Sequence, residues 1–237
     1  PACENAGGIV GMMTGSSTIE NCHVSGTIAA HDAGGIAVRM VKEGTITGCT
    51  NAAAITGTES AAGIVAKPYY SETGKDMLLE NCTNTGAITS TGYHAGGIAA
   101  LSAANVQNCT NSAVITAEGN TAGGIVAEQT NCGTVSGCEN TAAVNGTAVA
   151  GGIVGWIRYQ DNASYTKKEI ITVTGNTNSG VISNTKTFGS AGIVGETYNA
   201  AVITNNINTA PSIKGYKFVA GITILTHDDD NLFYGDE

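Results

Sequence analysis

Seven cysteines and four histidines are the residues of this 237-residue chain best suited to metal or thiol chemistry. Five of the cysteines recur at one position of a repeated unit: Cys22, Cys49, Cys82, Cys109 and Cys138. Clustered cysteines indicate a metal site or a disulfide framework, whereas one small side chain per unit equally suits a buried column. Asn176 and Asn206 take the same position in later units. We therefore predict a structural column of free thiols, with no metal and no cofactor.

Aromatic residues make up only 5% of the chain, and five of the twelve lie in two segments, 66–81 and 155–175, which are longer than the matching segments of other units. Aromatic faces stack on sugar rings or anchor a protein partner. The candidate ligand-binding residues are Tyr69, Tyr70, Trp156, Arg158, Tyr159 and Tyr165. The alternative is that these insertions cover an edge of the fold and tuck their rings down on it. Tyr93 and His94 fall at a different corner of the unit.

Carboxylates are scattered along the chain, although polysaccharide hydrolysis or elimination needs them to converge. Only Asp228, Asp229 and Asp230 cluster, in a tail that either binds Ca²⁺ or is a solvated chain end. We therefore predict that the chain is not an enzyme. A carbohydrate-active β-helix enzyme is the alternative, which two carboxylates converging beside the insertions would favour.

The elements that position these residues follow from a repeated word, Ala-Gly-Gly-Ile. Its second glycine, which we call the marker glycine, falls at Gly8, Gly35, Gly63, Gly97, Gly124, Gly152, Gly192 and Gly221. Five of the seven intervals are within one residue of 28. A second word, apolar-x-x-Cys/Asn-x-Asn/Val, lies between markers, and helical apolar spacing is absent from the sequence.

Each unit contains three strand-like pieces separated by turn-forming residues. This pattern predicts an all-β fold, a right-handed parallel β-helix (β-solenoid) of about eight coils of roughly 28 residues, with three short strands each. Residues 1–226 form the solenoid, and residues 227–237 form an acidic tail that caps the last coil. At the marker we expect a tight corner where glycine permits close approach and positive φ. We also expect interior stacking of the following Ile and asparagine ladders between coils.

A net charge of −9 argues against nucleic acid or an anionic membrane as a partner. No apolar run reaches the roughly 18 residues that a membrane helix needs. The chain begins at Pro1 without a signal-peptide pattern, so we interpret it as a mature or excised segment of a longer chain.

The Gly-Ile-Val-Gly words at 8–11, 152–155 and 192–195, with Cys-Thr-Asn-Thr-Gly-Ala-Ile at 82–88, resemble the GLUG repeat. Ile stands where that motif often has Leu, and several copies end in Ala. The resemblance implies an extracellular, bacterial cell-surface setting and a stalk or adhesin role. For the aromatic insertions, we expect a glycan or host surface protein as partner. Such repeats also flank the protease domain of bacterial immunoglobulin A metallopeptidases. The zinc motif of those enzymes, His-Glu-x-x-His, is absent from this sequence, so proteolysis does not carry over.

Overall fold

The computed structural model describes residues 3–70, 77–159, 169–198, 201–225 and 234–235. In these ranges the chain winds into a parallel β-solenoid of about seven turns of ~29 residues, without helices, which confirms the predicted fold class. Four parallel sheets run along the solenoid. We number the coils by their marker glycines, from coil 1 at Gly8 to coil 8 at Gly221.

Sheet A has thirteen strands and two arms, which are joined where two long strands run through both. The long strands are Thr27–Gly34 and Ala54–Ala62. The first arm continues as Ile88–Ser90, Ile115–Ala117, Val144–Gly146, Ile182–Asn184 and Ile213–Lys214. The second arm contains Asn5–Gly7, His94–Gly96, Thr121–Gly123, Val149–Gly151, Gly189–Ala191 and Phe218–Ala220.

Sheets B, C and D complete each coil after the marker. Sheet B contains Val10–Thr14, Ala37–Val41, Val65–Tyr70, Ala99–Ser102, Val126–Thr130, Val154–Arg158, Val194–Thr197 and Thr223–Leu225. Sheet C contains Thr18–Glu20, Gly44–Thr47, Met77–Glu80, Asn105–Gln107, Thr134–Ser136, Ile171–Thr174, Ala201–Thr204 and Tyr234–Gly235. Sheet D contains His23–Val24, Thr50–Asn51, Thr83–Asn84, Thr110–Asn111, Glu139–Asn140, Thr177–Asn178 and Ile207–Asn208.

A typical coil therefore carries five short strands, where the sequence predicted three. The predicted strand around Gly-Gly-Ile-Val is in fact a corner between two strands. In coil 4, for example, His94–Gly96 ends at the marker and Ala99–Ser102 begins after Ile98. The strand that leads into the cysteine is likewise followed by a separate two-residue strand.

Close approach between coils requires the marker glycine, as predicted, but the predicted positive φ is wrong. None of the marker glycines in the described residues has a φ in the left-handed region. A Cβ on Gly97 would instead lie 2.0 Å from the carbonyl oxygen of Gly124 and 2.8 Å from Cγ of Asn111. Neighbouring coils thus touch backbone to backbone at this corner, where only hydrogen fits.

A ladder of asparagine side chains runs behind the marker corner, as predicted. Its members are Asn51, Asn84, Asn111, Asn140, Asn178 and Asn208, one in each of coils 2 to 7. In coils 2 to 6, each Nδ2 donates to the Oδ1 of the next coil's asparagine at 2.8–3.0 Å. The same Nδ2 also donates to a carbonyl two residues onward in its own coil, as from Asn111 to Ala113. The ladder therefore satisfies amides that are fully buried in coils 2 to 6.

The left-handed conformation occurs at a second corner, at the residue before the cysteine column. All seven residues there have φ between 51° and 66°: Asn21, Gly48, Asn81, Asn108, Gly137, Gly175 and Asn205. Glycine and asparagine are the residues that adopt this conformation at least cost. The left-handed backbone conformation thus explains why the residue before each column position is either Asn or Gly.

The cysteine column is a structural ladder with the form predicted for it. The Cys109 thiol donates to the carbonyl oxygen of Leu79 in the previous coil, at 3.6 Å. A column cysteine also accepts a hydrogen bond from the amide of the preceding column residue, as Cys138 Sγ does from Cys109. Asn176 makes both interactions, since its Nδ2 donates to the Val135 carbonyl oxygen and its Oδ1 accepts from the Cys138 amide. No disulfide links any of the seven cysteines, all of which lie in the described part of the chain.

The interior is filled by stacked aliphatic side chains. The Ile that follows the marker is fully buried in coils 2 to 7, at Ile36, Ile64, Ile98, Ile125, Ile153 and Ile193. Its amide donates to the carbonyl of the next Ile, as from Ile98 to Ile125 at 2.8 Å. The stack therefore keeps both apolar packing and backbone hydrogen bonds through the corner.

In both coils 3 and 6, the inserted segment falls in the chain between a strand of sheet B and a strand of sheet C. Tyr234–Gly235 pairs with Val202 and Ile203 at the end of sheet C, so this part of the tail adds a strand to the solenoid. The acidic cluster at 228–230 lies outside the described residues.

We predict that Gly97→Ala lowers the free energy of unfolding by about 1–3 kcal/mol, near the upper end of that range. The reason is that its methyl group collides with the backbone of coil 5. Gly11→Ala is the matched control, since a Cβ there meets nothing within 4 Å. Urea denaturation followed by circular dichroism measures both free energies. Equal stability of the two variants would contradict a close-packed corner.

We also predict that the buried column thiols resist alkylation in the folded protein. Burial raises the pKa of Cys49 to about 11, and hydrogen bonding to Cys109 together with burial raises the pKa of Cys82 further. Thiolate is the reactive species, so at about pH 8 a thiol reagent should label exposed Cys3 first. Cys3→Ser should remove the fast phase; rapid labelling of Cys82 without denaturant would contradict the prediction.

Candidate functional site

At the marker corner the second arm of sheet A meets sheet B, and side chains on the outer side of this corner are buried. Thr121 and Ala127 are fully buried although they lie outside the hydrophobic core cluster. A Cβ on Gly155 would lie 2.6 Å from Cγ2 of Thr121. The outer faces of the two strand rows therefore pack against each other, and we call the outer surface of this corner the cleft.

Large and charged side chains enter this cleft from one repeat position, the fourth residue after the marker glycine. In coils 1 to 7 that position is occupied by Met12, Arg39, Lys67, Leu101, Glu128, Trp156 and Glu196. Parallel pairing places these residues in register along sheet B. One position of a uniform repeat thus supplies seven side chains to the cleft.

A continuous chain of contacts crosses the cleft in coils 4 to 7. We call its members the aromatic band: Tyr93, His94, Glu128, Trp156, Arg158 and Tyr198. His94 Nε2 lies 3.0 Å from Glu128 Oε2, and Arg158 Nε donates to Glu128 Oε1 at 2.7 Å. The Arg158 guanidinium lies 4.4 Å above the Trp156 ring centroid.

Aromatic rings flank this polar centre on both sides. The Trp156 ring packs against Tyr198 with centroids 5.5 Å apart, and the Tyr93 ring lies 6.0 Å from that of His94. Tyr93 is 57% exposed and Tyr198 is 38% exposed, whereas Trp156 is half-buried between its neighbours. The band therefore presents ring surface to solvent on a support that is held by ion pairs.

Glu128 is the electrostatic centre of the aromatic band. Its side chain is fully buried, and burial alone would raise its pKa. The hydrogen bonds and charges of His94 and Arg158 outweigh burial and lower the pKa of Glu128 below its ordinary value. The carboxylate therefore stays ionised and holds both partners in place across three coils.

A second group of charges lies in the same cleft at coils 2 and 3. We call it the Lys67 cluster: His31, Asp32, Arg39, Glu59 and Lys67. Lys67 Nζ lies 2.8 Å from Asp32 Oδ2 and 3.1 Å from Glu59 Oε1. These residues line a cavity of about 330 Å³ together with Glu4 and Asn5. Two carboxylates thus meet at one buried amine, beside the first insertion.

The sequence-predicted site residues have different positions. Trp156 and Arg158 lie together in the aromatic band. Tyr159 packs against the core, and its hydroxyl donates to the Glu169 carbonyl oxygen at 2.9 Å. The side chains of Tyr69 and Tyr70, and all of Tyr165, lie outside the described residues, although the backbone of the first two ends a strand of sheet B.

Sequence reasoning missed Glu128, Tyr198 and the Lys67 cluster, and it assigned Tyr93 and His94 to a separate corner. Ion pairs such as His94–Glu128 join residues 34 positions apart, and only the coil register brings them together. Aligning the repeats and reading the fourth residue after each marker would have identified Arg39, Lys67 and Glu128.

Within the described ranges, no three His, Cys, Asp or Glu side chains are grouped as they would be to hold a metal ion. Among the same residues, no helix has the length and apolarity needed to span a membrane.

A family model for the GLUG motif matches residues 2–29, which correspond to coil 1. The chain carries the GLUG motif. The motif therefore corresponds to one turn of the solenoid, including the marker glycine and the first column cysteine, Cys22.

The solenoid is also similar to a crystal structure named "putative immunoglobulin A1 protease" from Bacteroides ovatus. The two are 17% identical, with a TM-score of 0.57, over 87% of this chain and 66% of that chain. At this identity the similarity concerns the fold alone. No protein with a curated description matches the sequence.

We predict that Glu128→Gln destabilises the aromatic band by about 1–3 kcal/mol at neutral pH, because a charged acceptor is removed from two donors. The lowered pKa of Glu128 means that its stabilisation is present above the carboxyl's unfolded pKa and is lost as pH falls through the lower folded pKa. The difference in free energy of unfolding between Glu128→Gln and wild type should therefore become smaller in acid.

Fluorescence of Trp156, the chain's single tryptophan, reports on this region during urea denaturation. Glu139→Gln in the same coil, at an exposed side chain, is the control. A difference that persists unchanged in acid would contradict the assigned ion pairs.

Proposed function

We propose that the chain is a non-catalytic binding module and spacer of a bacterial cell-surface or secreted protein. On this proposal it acts as a stalk or adhesin segment and holds a glycan or a surface protein on the aromatic band. The observation that carries the proposal is the pair of exposed rings, Tyr93 and Tyr198, mounted on either side of the buried Glu128 ion pairs.

Rigid support favours binding at this place. Trp156 is held between Arg158 and Tyr198, and Arg158 is anchored by Glu128. Side chains that are ordered before the ligand arrives lose little conformational entropy when it binds. Ring faces next to a guanidinium suit the apolar face and hydroxyls of a sugar. They also match the Trp, Tyr and Arg anchors that dominate protein interfaces.

The Lys67 cluster meets the condition that we set for the enzyme alternative, since Asp32 and Glu59 converge beside an insertion. Glycoside hydrolysis needs one carboxyl group whose pKa is raised so that it serves as an acid. Burial would raise the pKa of Glu59, but the hydrogen bond and charge of Lys67 lower it. Glu59 and Glu128, both in the described part of the chain, have lowered pKa values and are thus biased toward the ionised form. This supports a non-catalytic module.

The extracellular setting is proposed from the GLUG motif, whose resemblance implies cell-surface proteins. The similar Bacteroides ovatus structure bears the name of a protease, and this chain spans 66% of its length. We do not extend proteolysis to this chain, because similarity at this level concerns the fold and the His-Glu-x-x-His motif is absent from the sequence.

A glycan array, followed by titration calorimetry with any glycan that binds, tests the proposal. We expect Trp156→Ala and Tyr93→Ala each to weaken binding about ten-fold or more, as loss of an aromatic anchor does. Tyr216→Ala is the matched control, because Tyr216 is 63% exposed and lies outside the aromatic band.

A protein partner would give no signal on the array but would give the same ranking of variants in binding to bacterial or host cell surfaces. Equal binding by Trp156→Ala and wild type in both assays would overturn the proposal and leave the chain as a spacer.

A further inference from the structure

The Lys67 cluster places an amine and a carboxylate in contact at a buried position where their covalent reaction is chemically simple. Lys67 is 8% exposed and Asp32 is 2% exposed. Lys67 Nζ lies 2.8 Å from Asp32 Oδ2, and Glu59 Oε1 faces the same nitrogen from 3.1 Å. The Asp32 Oδ1 atom is buried and has no hydrogen-bond partner.

We propose that Lys67 and Asp32 condense into an intramolecular amide that links coil 3 to coil 2. The lone pair of Nζ, freed by deprotonation of the ammonium, forms a bond to Cγ of Asp32. The bond from Cγ to Oδ2 then breaks, and Oδ2 leaves as water with two of the three ammonium protons. Ammonium and carboxylate thus become a neutral amide and one water molecule, without oxidation or reduction.

Glu59 has the position required of the proton carrier in this reaction. Its Oε1 accepts a proton from Nζ and returns it to the departing Oδ2. His31 Nε2 lies 3.2 Å from Glu59 Oε2 and orients this carboxylate. Arg39 Nη2 lies 3.8 Å from Asp32 Oδ2, where its charge stabilises the oxygen as the bond to Cγ breaks.

Two physical effects favour the amide over the ion pair. Burial of two ions costs free energy of desolvation, and a neutral amide removes both charges. The buried Oδ1 of Asp32 becomes an amide carbonyl oxygen, which costs less to leave unpaired than a carboxylate oxygen. Well-oriented groups on one scaffold react with effective molarities of about 10⁵–10⁸ M. Such a gain lowers the barrier to condensation.

The aromatic band contains an internal comparison for this chemistry. Its buried carboxylate, Glu128, also carries two cationic partners at 2.7 Å and 3.0 Å. Those partners are a guanidinium and an imidazole, and neither forms a stable amide with a carboxylate. Condensation is therefore not expected between Glu128 and either of these two partners.

Intact-mass spectrometry of the purified full chain tests the proposal. Wild type should weigh less than its sequence by one water, and a protease digest should contain one branched peptide joining the segments around Asp32 and Lys67. Lys67→Arg keeps the charge but not the amine, so its mass should match its sequence. Glu59→Gln should lose the modification, whereas Glu4→Gln, which lines the same cavity, should retain it.

Circular dichroism shows whether each variant has folded. A succinimide at Asp32 would also lose one water, but it opens in mild base and leaves Lys67 reactive toward amine reagents. A wild-type mass equal to that of the sequence, or a water loss confined to Asp32 with Lys67 free, would overturn the proposal. The test needs no ligand, so its result is independent of binding at the aromatic band.

Discussion

Contact between the backbones of successive marker glycines is the constraint on which this solenoid depends. Gly97 and Gly124 approach so closely that no Cβ fits between them, and the asparagine ladder fills the space behind. The backbone contact sets the separation of the coils, and the ladder sets their register. Parallel pairing in four sheets and unbroken stacking of the interior isoleucines follow from a separation and register that repeat at every coil.

The same constraint explains why the outer cleft varies while the core does not. Core positions are confined to small or aliphatic residues because each must match the coil on either side. The fourth residue after the marker points away from the core cluster and is free to be Arg39, Lys67, Glu128 or Trp156. Ion pairs between coils then hold these side chains over a rigid backbone, an arrangement suited to presenting a preorganised surface.

Much of the fold could be predicted from spacing alone, since the repeat interval, the Ile stack and the Asn ladder are all periodic. The marker corner was assigned to a strand because a glycine chosen for close approach has no local signature distinct from an extended glycine. The left-handed conformation at the second corner could have been predicted from the Asn or Gly that precedes each column residue. Trp156 and Arg158 were found through the insertion that contains them. Glu128 and Asp32 were not found from the sequence, because their partners are distant in sequence and become neighbours only through the register of the coils.

The asparagine ladder also makes the coils interchangeable in a way that the cleft does not. Every amide within the ladder, apart from its two ends, meets the same amide above and below, so the loss or duplication of a whole unit would leave the interior of the rod intact. Glu128, however, joins coils 4 and 6, and Lys67 joins coil 3 to coil 2. Recombination between repeats can therefore lengthen or shorten the rod freely, except where these charges give neighbouring coils a fixed order.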